Sequence, residues 1–131
     1  MALDMPAVLV AEDEALIRMM LCDALEEEGY RVFEASCVLE AVAILGKHAI
    51  DALITDIDMP GGLSGIDLAW LVERTCKNTA IIVVSGGDAH ASEKLPARAR
   101  FLPKPYNLED ITSILANTAR RTDASTLGIA V

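Results

Sequence analysis

The chain has 131 residues, enough for one domain with a real core and too few for two. Hydrophobic residues make up 53% of it but aromatics only 4%, so the core must come from Val, Ile, Leu, Ala and Met. A net charge of −9 argues against nucleic acid and against an anionic membrane surface, whose phosphates would be repelled rather than neutralised.

Three cysteines, Cys22, Cys37 and Cys76, are an odd number without CxxC or Cys/His spacing. Each falls in a helix-like stretch, which predicts reduced thiols, no metal bound by them and a cytoplasmic protein. No basic-then-apolar leader is visible at the start, and the apolar runs are too short to cross a bilayer.

Ala7–Ala11 (AVLVA) is a continuous apolar run of the kind found in strands buried on both faces, and it ends in Glu12, Asp13 and Glu14. Ile17, Met20, Leu21, Ala24 and Leu25 recur at helical spacing, with Glu26 to Glu28 on the solvated end and Gly29 as a stop. Residues 31–36 alternate as a second strand. Val38, Ala41, Val42 and Leu45 mark a second helix ending near Gly46. Residues 49–55 form a third strand that delivers Asp56 just before Pro60-Gly61-Gly62.

Ser64 is placed to cap a third helix facing inward through Ile66, Ala69, Trp70 and Val72. Residues 80–84 (AIIVV) are the strongest strand and run into Ser85-Gly86-Gly87. Periodicity is poor over residues 88–100 and Pro96 interrupts it, so only a short or irregular fourth helix is expected there. A fifth strand over residues 100–103 leads to Lys104, and Asn107 opens a last helix facing inward through Leu108, Ile111, Ile114 and Leu115. Residues 1–120 are the expected domain, and 121–131, which carry no strong pattern, a frayed tail.

This alternation predicts an α/β fold, (βα)5, with a doubly wound five-stranded parallel sheet. Residues beyond the carboxyl ends of the strands gather in one place. Strand 1 brings Glu12, Asp13 and Glu14, strand 3 Asp56 and Asp58, strand 4 Ser85, and strand 5 Lys104. The acids meet only if strands 1 and 3 are neighbours, which gives the order 2-1-3-4-5 with a ligand site at the switch point between them. Clustered carboxylates need a shared cation, and an all-oxygen donor set suits Mg²⁺. Asp13 and Asp56 are the expected direct ligands, with Glu12 binding directly or through water. A lysine and a hydroxyl beside a metal-held aspartate suit phosphoryl chemistry, with Asp56 as nucleophile.

Glu12-Asp13, Asp56-x-x-Met59-Pro60, Ser85-Gly86 and Lys104-Pro105, in this order, resemble the receiver domain of bacterial response regulators, the CheY-like fold. That fold is itself a known case of the 2-1-3-4-5 order. The resemblance spans about residues 7–120 and is closest to stand-alone, single-domain receivers. It implies a phosphoacceptor of a two-component phosphorelay and not a turnover enzyme. Asp56 would be the acceptor, Asp13 and Glu12 metal ligands, and Asp58 a ligand through its backbone carbonyl. Lys104 and Ser85 would engage the phosphoryl oxygens, and Phe101 would change rotamer with Ser85.

The implied partners are a histidine kinase or histidine phosphotransfer protein and a downstream protein not identifiable from the sequence. A homodimer through the fourth helix, fifth strand and last helix is a further expectation. The loop after Pro60 is one residue longer than usual in the family. Two other readings remain open: a haloacid-dehalogenase-type phosphatase using Asp56 and Asp58 as a DxD, and an inert pseudo-receiver that only binds partners.

Overall fold

The computed structural model describes residues 5–87 and 89–127. Five parallel strands, β1 (Ala7–Ala11), β2 (Arg31–Ala35), β3 (Ala52–Asp56), β4 (Ala80–Ser85) and β5 (Arg100–Pro103), lie in the order β2-β1-β3-β4-β5. Helices α1 (Ala15–Glu27), α2 (Val38–Lys47), α3 (Gly65–Thr75) and α4 (Leu108–Leu127) connect or follow them.

Side chains alternate across each strand, and the central strands are apolar on both faces because helices cover both. Leu9, Leu53, Ile81 and Val83 point to one side and pack with Leu68 and Val72 of α3 and Ala41 of α2. Val8, Val10, Ile54 and Ile82 point to the other and pack with Leu21 and Leu25 of α1 and Ile111 and Leu115 of α4. Burying one such side chain fully is worth about 1.5–3 kcal/mol. β2 and β5 are the edges, and both are only partly buried.

Several sequence expectations shift by a residue or a turn. The inward faces contain Leu21, Cys22 and Leu25 in α1 and Leu68, Ala69 and Val72 in α3. Trp70 and Leu108, expected inside, are exposed, as are Met20 and Val42, which mark the helical spacing of α1 and α2. β3 starts at Ala52, and just before it the Asp51 carboxylate accepts from the Ala7 N–H at 2.7 Å. α2 runs through Gly46 to Lys47. Ser64 does cap α3, in a capping box with Asp67 that satisfies donors at the helix start.

Between β4 and β5 the chain forms a 3₁₀ helix, Ala89–Lys94, in place of an α-helix. Residue 88 of the expected fourth helix lies outside the described residues. The 3₁₀ segment is tied to α3, since the Trp70 indole N–H donates to the Lys94 carbonyl at 2.7 Å. α4 continues to Leu127, past the boundary expected at residue 120, and residues 128–131 of the expected tail lie outside the described residues.

Candidate functional site: a carboxylate cluster at the switch point

β1 and β3 are paired with Ala11 opposite Thr55, so the residues that follow, Glu12-Asp13 and Asp56, emerge side by side. One carboxylate oxygen from each of Glu12, Asp13 and Asp56 lies within 4.8 Å of the others. Glu12 and Asp56 are only 4% and 6% exposed, so their charges are poorly screened by water, whereas Asp13 faces solvent.

Lys104, just past β5, reaches into this cluster. Its Nζ is 2.8 Å from Asp56 Oδ2 and 3.8 Å from Glu12 Oε1. The Lys104 backbone N–H donates to the Ser85 carbonyl at 2.8 Å, which anchors the lysine to the end of β4. The following Lys104–Pro105 peptide is cis. Burial alone would lower the lysine's pKa. The hydrogen bond and charge of Asp56, with Glu12 and Tyr106 adding to them, outweigh burial and hold it above its ordinary value.

The Glu12 carboxyl is pushed above its ordinary value chiefly by burial. The backbone N–H of Glu14 opposes this, the charge of Asp56 adds to it and Lys104 opposes it again. One ammonium among three carboxylates leaves the cluster negative. An all-oxygen, net-negative donor set of this compactness fits a hard divalent cation such as Mg²⁺.

The other expected residues differ in how directly they join the cluster. Ser85 is buried at the end of β4, where its Oγ accepts from the Gly87 N–H at 3.1 Å. Asp58 turns its carboxylate to solvent, and its backbone N–H donates to Asp56 Oδ1 at 3.2 Å. The two acids of the apparent DxD are therefore unlike, one buried and one exposed. Phe101 stands back from the cluster, in β5 opposite Val83, half-buried against the core shared with α2 and α3. The loop after Pro60 turns on Gly61 and Gly62, at φ +95° and +87°, a left-handed conformation that a side chain would strain.

Four neighbours of the cluster were not read from the sequence. Thr55 Oγ donates to the Asp56 carbonyl at 2.9 Å, and Gly65 packs against that same carbonyl. Arg18 donates to the Glu12 carbonyl at 2.6 Å. Burial pushes the Tyr106 phenol up, against the pull of Lys104 and helped by Glu12 and Asp56. Only Gly65 left a signal, as a glycine directly after a capping serine.

The family model of the response regulator receiver domain matches residues 8–116. The chain is 42% identical over 111 residues to the transcriptional regulatory protein PdtaR of Mycobacterium tuberculosis, covering 79% of this chain and 52% of PdtaR. It is 33% identical over 120 residues to the aerobic respiration control protein ArcA of Escherichia coli, covering 89% of this chain and 50% of ArcA. The chain thus spans about half the length of these curated relatives. A receiver domain structure from Clostridium thermocellum superimposes with a TM-score of 0.81 at 28% identity, over 91% of this chain and 98% of that one. The response regulator TrrA of Thermotoga maritima, solved in complex with Mg²⁺–BeF, gives 0.76 at 27% identity, over 87% and 99%.

The chain belongs to the response regulator receiver domain family, the phosphoacceptor modules of two-component signalling. The phosphatase reading of Asp56 and Asp58 is set aside by that membership and by the unlike burial of the two acids.

Proposed function

We propose that Asp56 accepts a phosphoryl group from the phosphohistidine of a histidine kinase or histidine phosphotransfer protein. The observation that carries this reading is Lys104 Nζ at 2.8 Å from Asp56 Oδ2, beside three carboxylates within 4.8 Å of one another. An Asp56 oxygen attacks phosphorus, the bond from phosphorus to the imidazole nitrogen breaks, and the imidazole leaves with the electron pair. Asp13, Asp56, Glu12 directly or through water, and the Asp58 carbonyl would hold Mg²⁺, which when bound would neutralise the charge of an anionic phosphoryl group among carboxylates. Lys104, kept protonated by its acidic neighbours, pairs with the incoming phosphoryl oxygens.

Ser85 then turns its hydroxyl from Gly87 to a phosphoryl oxygen, and Phe101 rotates into the space released. This shifts the population of the surface made by the 3₁₀ segment, β5 and α4, through which the chain meets a downstream protein or a second copy. An apolar groove lined by Ile17, Met20, Leu21, Pro105, Tyr106 and Leu108 opens beside Lys104 and gives the phosphodonor a place to dock. Among the described residues no helix is long and apolar enough to cross a membrane. A cytoplasmic location is part of the proposed reading.

Incubation with acetyl phosphate and Mg²⁺ tests the reading. One phosphoryl group on the native chain and none on Asp56→Asn is the expected result. Repeated turnover of phosphate esters would restore the phosphatase, and an unmodified native chain would leave only an inert binding module.

A further inference from the structure

The carbonyl of Glu12 has a partner that the site described so far does not use. β1 ends at Ala11, and the Glu12 N–H is still bonded to the sheet, donating to the Ala35 carbonyl at 2.9 Å. The Glu12 carbonyl lies beyond the last rung of the ladder, and a polar group left there unpaired would be costly. Arg18, one turn into α1, supplies the donor. Its Nη1 is 2.6 Å from the Glu12 carbonyl oxygen, and its Nε is 3.2 Å from Glu34 Oε1 on β2. The Arg18 side chain is only 19% exposed, so the contact is shielded from competing water.

The Glu12 carbonyl and the Asp13 N–H belong to one planar peptide group. Fixing the carbonyl fixes that plane and, with it, where the Cα of Asp13 sits. Asp13 is exposed, so its approach to the cluster is set by its backbone more than by side-chain packing. The Glu12 carboxylate is held from the other side by the Glu14 N–H at 3.0 Å. The planar fork of a guanidinium serves both Glu12 and Glu34, which a lysine ammonium cannot match in geometry.

We propose that Arg18 is a positioning residue for the acidic pair, holding the Glu12–Asp13 peptide at the angle from which both carboxylates meet Mg²⁺. This rests on the reading of Glu12, Asp13 and Asp56 as the metal site. It makes a prediction of unusual sign. Arg18 is a cation near a cation site, so through charge alone its removal would strengthen Mg²⁺ binding. Through position, removal weakens it.

The test titrates Mg²⁺ by calorimetry into the metal-free full chain as native protein, Arg18→Gln, Arg18→Lys and Glu34→Gln. Arg18→Gln is expected to bind roughly tenfold more weakly, as is usual when a residue orienting a ligand is lost. Arg18→Lys falls between, despite its retained charge. Glu34→Gln, at a half-exposed side chain, keeps an oxygen that can accept from Arg18 Nε, so its binding stays close to native and it serves as the control for charge. Amide exchange at Asp13 in the metal-free protein becomes faster in Arg18→Gln while its thermal midpoint stays close to native. Mg²⁺ binding in Arg18→Gln that is unchanged or tighter overturns the proposal. So does weakening in Arg18→Gln that comes with a collapsed thermal midpoint, or that Glu34→Gln reproduces in full. A native chain that binds no Mg²⁺ overturns the reading of the metal site itself, and this inference with it.

Discussion

Asp56 and Gly65 meet backbone to backbone. A Cβ placed on Gly65 would overlap the carbonyl oxygen of Asp56 and lie 2.8 Å from its carbonyl carbon. The Gly65 N–H donates to the Ile57 carbonyl at 2.8 Å, and the Ser64–Asp67 capping box starts α3 at this point. Helix α3 is therefore seated directly on the peptide that follows Asp56, and only glycine permits that approach.

Gly65→Ala should cost about 1–3 kcal/mol through overpacking, because the obstructing atoms are backbone and cannot swing away. Urea unfolding measures it. The same variant should also accept less phosphoryl group, since relief of the clash moves Asp56. An unchanged unfolding midpoint would show that α3 does not depend on this contact.

The raised pKa of Glu12 sets a pH dependence for the metal-free protein. A carboxyl whose folded pKa lies above its ordinary 4.5 binds protons more tightly when folded. Its contribution is fully present below pH 4.5 and is lost as pH rises through the folded pKa. Glu12→Gln does not ionise, so in chelator it should be more stable than the native chain at neutral pH, with the gap closing as pH falls to 4.5 and below. Denaturant unfolding across that window checks it, and a gap that widens toward acid would contradict it.

Trp70 is the only tryptophan of the chain, and its indole donates to the Lys94 carbonyl at the end of the 3₁₀ segment. Arg98 ties the chain beyond that segment to Glu73 on the same helix. The start of the crossover is bonded through Gly87 to Ser85. A turn of Ser85 toward a phosphoryl group should therefore reach Trp70, and its emission should change when beryllofluoride and Mg²⁺ are added. Emission indifferent to both would mean that the crossover does not move against α3.

Much of this arrangement is legible in the residues alone. The unbroken runs Ala7–Ala11 and AIIVV give the central strands, and the acids, serine and lysine at strand ends give the cluster. Helix faces were less legible where apolar residues also sit outside: Met20 and Trp70 fit the helical spacing yet are exposed. The crossover is a 3₁₀ helix although it contains Ala89, Ala91, Glu93 and Lys94, good helix formers, because its apolar periodicity is poor and Pro96 closes it after a few residues. The roles of Arg18 and Gly65 depend on backbone atoms distant in sequence or hidden in a turn, and no side-chain pattern records where a carbonyl lies.

Lys104→Met should separate metal binding from signalling. Removing an ammonium from among carboxylates leaves Mg²⁺ binding intact or stronger, since a competing positive charge is gone. The Trp70 response to phosphorylation should nonetheless be lost or much reduced, because the phosphoryl oxygens lose the cation that holds them. A full emission change in Lys104→Met, read beside calorimetric Mg²⁺ affinity, would remove the lysine from the switch.

The most direct measurement is the chemical location of the phosphoryl group. The phosphorylated native chain is reduced with borohydride, which converts an aspartyl phosphate to homoserine, and the peptides are mapped by mass spectrometry. Homoserine at position 56, and at neither 13 nor 58, is the predicted result. Homoserine at Asp13 or Asp58, or a phosphoryl group carried on a residue that borohydride does not reduce, would contradict the assignment of Asp56.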